Sequence, residues 1–355
     1  MPIDNLPDWE RRLARQDAFW DCAVIDRPVV AMSFPKARPV RPWPPDKSYA
    51  SCRERWMDTE RVVDQAVAAA CNRSYYGDAL PTAWPNLGPE VFSAFFGIEM
   101  EYSADTSWAI PNLSDWSEAD ELSWSTDNYY WKKLVEMTSA LLDAGKGLYY
   151  VGLTDLHPGG DAVAAFRDPM ALNTDLLTCP DEVKQLLAHV TGAFFEVYDF
   201  FCEWLTDAGQ PVTTWPGIVS TRKWHVPSND FSCMISRDMF NEFFLPGIIE
   251  ECRHTDANIY HLDGPGALRH LDTLLAVPEI NAIQWVYGTG NGRATDWLDV
   301  YRKCQSAGKA VQLSIGLDEL NCIIENLKPE GVWLNVDVNE AEQAQYVLKK
   351  ADKWT

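Results

Sequence analysis

No apolar run in this 355-residue chain approaches the roughly 18 residues that a membrane-spanning helix needs. The opening run, MPIDNLPDWERRLARQDAFW, lacks the basic-then-apolar order of a secretory signal. Basic residues are scarce. Lys and Arg number 30 against 52 Asp and Glu, a formal net charge of −22. A surface so acidic repels nucleic acid and anionic membranes. The nine cysteines are odd in number and never form a C-x-x-C pair, which excludes a zinc knuckle and points to free thiols in a reducing, cytoplasmic setting. There is no low-complexity tract and no repeat of solenoid period. A Gly-rich phosphate loop is also missing. The run Gly288 to Gly292 (GTGNG) lacks the fingerprint spacing and reads as a plain turn between strand and helix.

What is present is tryptophan, 16 residues of it, and an alternation of apolar runs with amphipathic stretches. So many large amphipathic rings suggest a pocket lined for a sugar, an aromatic or a tetrapyrrole-like ligand, beyond those needed in the core. Eight runs read as strands: Val29 to Phe34, Asp78 to Ala83, Leu148 to Leu153, Pro211 to Trp215, Ala257 to His261, Ile280 to Val286, Ala310 to Ile315 and Gly331 to Val336. Several are apolar throughout, as strands covered on both faces are. Helical patterns separate them, among them Pro180 to Ala208, which opens with Pro and acids in its first turn. This order predicts one α/β domain over 1–355, a (β/α)8 TIM-type barrel. It would carry an N-terminal helical extension over 1–27 and insertions over 36–54 and 97–124, the second hairpin-like. An open, doubly wound sheet is the other arrangement that the periodicity allows.

In a barrel, chemistry sits where strands end. The third strand ends in T-D-L-H-P-G-G-D, with Asp155, His157 and Asp161. Near the fourth lies W-H-V-P-S-N-D, with Trp224, His225 and Asp230; the fifth ends in Y-H-L-D-G, with Tyr260, His261 and Asp263. The sixth contributes Gln284, Trp285 and Tyr287, and the eighth Asn335 and Asp337. His261 and Asp263 stand out, because residues two apart on a strand share a face. An imidazole beside a carboxylate suits acid/base work or a metal ion. Asp263 could equally cap the helix that follows. Asp161 is a candidate acid/base partner, and Asp78 an inward carboxylate in need of a reason. Trp84, Trp108, Trp215, Trp224 and Trp285 are candidates for the pocket wall, with His157, His225, Asp230, Tyr260, Gln284, Tyr287 and Asn335 as substrate contacts.

The run D-F-S-C-M-I-S-R-D-M-F-N-E-F-F-L-P (Asp230 to Pro246) resembles the D-x-x-x-x-x-L-S-P-x-x-F-x-E-F-x-x-P signature of the uroporphyrinogen decarboxylase superfamily, which includes the corrinoid:coenzyme M methyltransferases. Y-H-L-D-G is similar to the methyltransferases' H-x-C-G, and G-D-A-L-P to the decarboxylase's S-D-I-L-x-P. The resemblance implies a barrel with a deep mouth and, in the decarboxylase branch, a homodimer. It matches Asp78 to the decarboxylase's catalytic aspartate. It also implies a divalent metal such as zinc: the methyltransferases hold zinc through His-x-Cys and a later Cys, where this chain has His261, Asp263 and then Asn335 and Asp337. The site would thus be harder than a thiolate site. The decarboxylase's R-Q-A-G-R-Y motif is replaced by V-V-A-M-S-F-P-K-A-R-P, leaving Lys36, Arg38 and Arg41 as cations for a polycarboxylate. The expectation is an enzyme transferring methyl groups to or from a thiol or a corrinoid partner protein. A decarboxylase or other lyase, with Asp78 orienting substrate and His261 as acid/base, and a non-catalytic sugar- or aromatic-binding barrel remain as alternatives.

Overall fold

In the computed structural model, which describes residues 2–354, the apolar runs become strands. In chain order they are β1 (Val29–Pro35), β2 (Arg73–Gly77), β3 (Thr82–Ala83), β4 (Met100–Tyr102), β5 (Ser107–Ala109), β6 (Tyr150–Val151), β7 (Val212–Thr213), β8 (Val219–Ser220), β9 (Trp224–His225), β10 (Ala257–Asp263), β11 (Ala282–Val286), β12 (Ala310–Gly316) and β13 (Val332–Asp337). Seven of them form one sheet in the order β2-β1-β13-β12-β11-β10-β9. Every pairing in it is parallel except that of β1 with β2. Helices such as Leu298–Ser306 and Leu320–Asn326 return the chain between parallel neighbours. The central strands are buried on both faces. Leu313, Leu334 and Val30 are all at or below 1 % exposure, which explains why these strands read as continuous apolar runs rather than alternating ones.

Each of the eight runs expected from the sequence contains a strand (β1, β3, β6, β7, β10, β11, β12 and β13), but among the described residues no continuous ladder closes them into a ring. β3 pairs with β6, and β7 pairs with β8, apart from the large sheet. Single backbone bonds tie the pieces together: Leu153 N to Thr213 O at 2.9 Å, and Asp78 N to Val30 O at 2.7 Å. The break has a local cause. After β7 the chain doubles back as β8 and rises again as β9, so β9 takes the place beside β10 that β7 would fill in a closed barrel. The fold shown is a mixed α/β fold with a large, mainly parallel sheet. Within 97–124, β4 and β5 form an antiparallel hairpin.

The N-terminal helix Trp9–Phe19 covers the end of the sheet where the parallel strands begin. Gln16 donates from Nε2 to the Asp78 carbonyl (2.6 Å) and accepts from Val219 N (2.6 Å), while Trp20 Nε1 donates to Ser220 Oγ (3.1 Å). Asp78 belongs to this end. It is fully buried, held by Arg15 at 3.0 Å and Arg27 at 2.5 Å, and accepts from Val30 N at 2.9 Å. Val30 is the second residue of β1, so this carboxylate sits at the strand starts, away from the strand ends where His261 and Asp263 lie. The catalytic role expected for Asp78 is therefore corrected. Its charge is taken up by two arginines that fasten the N-terminal segment to the sheet.

Candidate functional site

At the other end of the sheet the chain collects its polar groups. His261 and Asp263 close β10, two residues apart and so on the same face of the strand. Beyond β9 the chain stays alongside β10, with a bridge between Ser228 and His261 and a bond from His261 N to Pro227 O at 3.0 Å. That contact delivers Asp230 to the same place. One ligand-capable atom each from Asp230, His261 and Asp263 lie within 4.8 Å of one another. Asp263 makes no capping bond to the helix after it, so the capping role falls away, and neither it nor Asp230 has a hydrogen-bond or ion-pair partner among the described residues. Asp230 is exposed at the surface, yet the crowding around its carboxyl and the nearby Asp161 push it up to about 6. The His261 ring is fixed from two sides. Its Nδ1 lies 2.6 Å from Gln284 Oε1, and the Trp215 ring meets it edge-on at 5.2 Å.

A second group stands against the first and shares Asp230 with it, since His157, Asp161 and Asp230 also fall within 4.8 Å. His157 is nearly buried, and both of its nitrogens are engaged. Nε2 is 2.9 Å from Asp155, and Nδ1 is 2.9 Å from Ser228 Oγ, which in turn donates to Asp161 at 3.0 Å. Burial opposes charge on this ring, but Asp155 and Asp161 outweigh it and hold the pKa well above the usual histidine value. That shift favours the charged ring, whose two N–H groups would be directed to Asp155 and Ser228. Asp161 accepts on its other oxygen from Phe231 N at 3.1 Å. With both oxygens occupied, Asp161 acts as a clamp on the segment carrying Asp230 rather than as the free acid/base expected from the sequence.

Other expected contacts lie elsewhere. His225 faces the helix layer, packed on Phe194 at 4.6 Å and 3.4 Å from the buried Glu251. Burial pulls its pKa down to about 3 and pushes that of Glu251 up to about 8. Tyr260 alternates with His261, so it points to the same outer layer, where its hydroxyl is buried without a partner. Trp224 is core: its Nε1 donates to Val212 O at 2.9 Å and its ring packs on Trp20 at 5.3 Å. Trp285 is buried against Trp297 at 5.1 Å, and Tyr287 stacks on the same ring. Asn335 accepts from Trp333 Nε1 at 3.1 Å. Trp84 is half-buried just after β3, and Trp108 is exposed on the β4–β5 hairpin. The tryptophan wall thus reduces at the cup to Trp215. Sequence reasoning missed Ser228, although it lies inside the W-H-V-P-S-N-D run, and it missed Glu251, which sits in a helix with no distinguishing pattern.

The donor set Asp230, His261 and Asp263 suits a divalent cation. It offers one nitrogen and two unpartnered carboxylates at ligand spacing, and the other histidine nitrogen is held by an oxygen acceptor, as metal-binding histidines usually are. No protein-family model and no curated protein matches the chain. A solved structure does match in fold: a methyltransferase from Methanosarcina mazei, 11 % identical, aligned over 96 % of this chain and 98 % of that one with a TM-score of 0.59. At that identity the likeness is one of fold. No helix among the described residues is long and apolar enough to cross a membrane.

Proposed function

We propose that this chain is a methyltransferase whose reaction centre is the cup of Asp230, His261 and Asp263. The observation that carries the proposal is the convergence of those three side chains, unpartnered carboxylates included, at the strand ends of a fold shared with a methyltransferase. The strand arrangement is read as a (β/α)8 barrel opened between β7 and β10, related to the uroporphyrinogen decarboxylase superfamily through the Asp230 to Pro246 run. A divalent ion such as zinc, held by His261, Asp230 and Asp263, would lower the pKa of a bound thiol and so supply a nucleophile at neutral pH.

The chain's own groups do the rest. Trp215 packs against the His261 ring and holds its plane. Asp161 and Ser228 hold the loop that places Asp230. The charged His157 offsets the surrounding carboxylates without competing as a ligand. Decarboxylation of the porphyrinogen type loses support, because the carboxylate it would need at Asp78 is buried between Arg15 and Arg27.

Methylcobalamin serves as a free corrinoid donor in the test. In the reaction, a thiolate takes the methyl group, the Co–C bond pair stays on cobalt to give cob(I)alamin, and the thiol proton passes to solvent. Anaerobic spectra should show protein-dependent loss of methylcobalamin, with stoichiometric metal in the wild-type protein and neither in His261→Ala. A protein that binds no divalent ion and leaves methylcobalamin unchanged with a series of thiols would overturn the proposal.

A further inference from the structure

We infer that Gln284 and Gln312 are positioning residues that hold His261 as its Nδ1–H tautomer and so keep Nε2 as the free donor atom at the cup. The inference rests on the proposed metal-binding reading for its use, but not for its evidence. His261, Gln284 and Gln312 occupy one row across three strands. The register pairs His261 with Gln284 and Gln284 with Gln312, so all three side chains share a face. Along this row Gln312 Nε2 donates to the Pro216 carbonyl at 3.4 Å, Gln284 Nε2 donates to Gln312 Oε1 at 2.8 Å, and Gln284 Oε1 lies 2.6 Å from His261 Nδ1.

The direction of this chain is forced from its far end. A backbone carbonyl only accepts, so Gln312 must present its NH2 to Pro216 and its oxygen to Gln284. Gln284 must then present its NH2 to Gln312 and its oxygen to His261. An amide oxygen only accepts, so Nδ1 of His261 must carry the proton. Flipping Gln312 alone would set oxygen against oxygen at Pro216 and N–H against N–H at Gln284, flipping Gln284 alone would set oxygen against oxygen at Gln312, and flipping both would set the Gln312 oxygen against the Pro216 carbonyl. In the neutral ring the lone pair then falls on Nε2, the nitrogen left free to share a cation with Asp230 and Asp263. The loop that supplies the terminal carbonyl also supplies Trp215, whose edge contact fixes the ring plane. Orientation and tautomer are therefore set by one short segment and two strands.

The test is long-range 1H–15N correlation on histidine-labelled protein at pH 8 without metal. The six histidines are few enough for His261 to be assigned by its loss in His261→Gln. The expected spectrum shows His261 with a protonated Nδ1 and an unprotonated Nε2. Gln284→Leu should lose that pattern. Gln284→Glu should retain it, because a carboxylate also accepts from Nδ1. Zinc affinity by calorimetry should fall about 10–100-fold in Gln284→Leu, as for other histidine orienters. Gln312→Leu gives a second, milder perturbation, and the wild-type spectrum is decisive even if a variant misfolds. An Nε2–H ring in the wild-type protein, or an unchanged ring in folded Gln284→Leu, would overturn the inference. The expected tautomer in a protein that binds no zinc would support this inference while defeating the proposed function.

Discussion

Glu251→Gln should stabilise this protein, and the gain should grow with pH. The Glu251 side chain is 1 % exposed, its Oε2 has no hydrogen-bond partner, and the nearest polar group is His225 Nε2 at 3.4 Å. Burial first, and Asp161 after it, raise its pKa from 4.5 to about 8. At pH 7 the unfolded chain carries an ionised Glu251 and the folded chain a protonated one, so folding must take up a proton. The slope of stability with pH is negative wherever the native state binds more protons. Between 4.5 and 8 this group therefore lowers stability by about 1.4 kcal/mol for each pH unit gained. The accumulated cost is about 3 kcal/mol at pH 7 and levels off near 5 kcal/mol above pH 8.

Glutamine has the same shape and no proton to take up, and its NH2 can donate to the neutral His225. The depressed pKa of His225 adds its own pH dependence, in which stability falls as pH drops below the unfolded histidine value toward 3. That contribution is confined to pH below the unfolded histidine value of about 6.5, so the comparison above pH 7 isolates Glu251. Urea unfolding from pH 4.5 to 8.5 gives the measurement. The two proteins should unfold at nearly the same midpoint at the acid end and separate steadily toward the alkaline end. A difference that does not change with pH, or a variant less stable at pH 8, would refute the reasoning, because it would mean that the buried carboxyl is charged or solvated.

Asp78→Asn should cost about 3–5 kcal/mol in unfolding free energy, since it removes the close charged partner of the buried Arg27, while Arg15 keeps its pair with Asp26. Its zinc affinity should stay within twofold of the wild-type value by calorimetry, because the residue lies at the strand starts. Asp263→Ala should do the opposite. Its carboxylate has no protein partner, so stability should stay within about 0.5 kcal/mol of wild type while zinc binding is lost. In Asp155→Asn the His157 ring should lose protonation at lower pH than in the wild-type protein, read from its carbon-bound proton shifts, because the leading favourable partner of the imidazolium has been neutralised.

The strands were legible because a buried parallel strand must be apolar on both sides, and that leaves a plain run in the sequence. The pairing of His261 with Asp263 was legible for an equally simple reason, the two-residue period of β structure. The β8–β9 detour was not. Strands of two residues carry no period, so nothing in Val219–Ser220 or Trp224–His225 announces that the chain turns back and displaces β7 from its neighbour. The amide row was hidden for a different reason. Gln284 and Gln312 each look like a stray polar residue in an apolar run, and only the register of β10, β11 and β12 shows that they touch. Asp78 is the instructive error. Its position at the start of a strand was readable and argued for the end of the sheet away from the chemistry. The resemblance of G-D-A-L-P to a decarboxylase motif outweighed that geometry, and the two arginines that neutralise Asp78 come from a helix and a loop far earlier in the chain.

The two histidines at the strand ends show how one residue type is given two tasks. His157 is flanked by carboxylates: Asp155 meets Nε2 directly, and Asp161 lies behind Ser228 at Nδ1, an arrangement that favours the charged ring with both nitrogens engaged. His261 is instead held by a neutral amide at one nitrogen, which fixes a proton there without demanding a second. Were the orienters exchanged, the cup would lose its nitrogen donor and the loop bearing Asp230 would lose its internal cation. Asp230 and Asp263 face a donor nitrogen with no Lys or Arg side chain paired to either of them, and His157 is too occupied to neutralise both. Two unpartnered carboxylates beside an imidazole lone pair attract a cation, either a proton or a metal ion, and Asp230 keeps its side of the group open to solvent. Under the proposed function, that attraction is what would draw a divalent ion to the three residues.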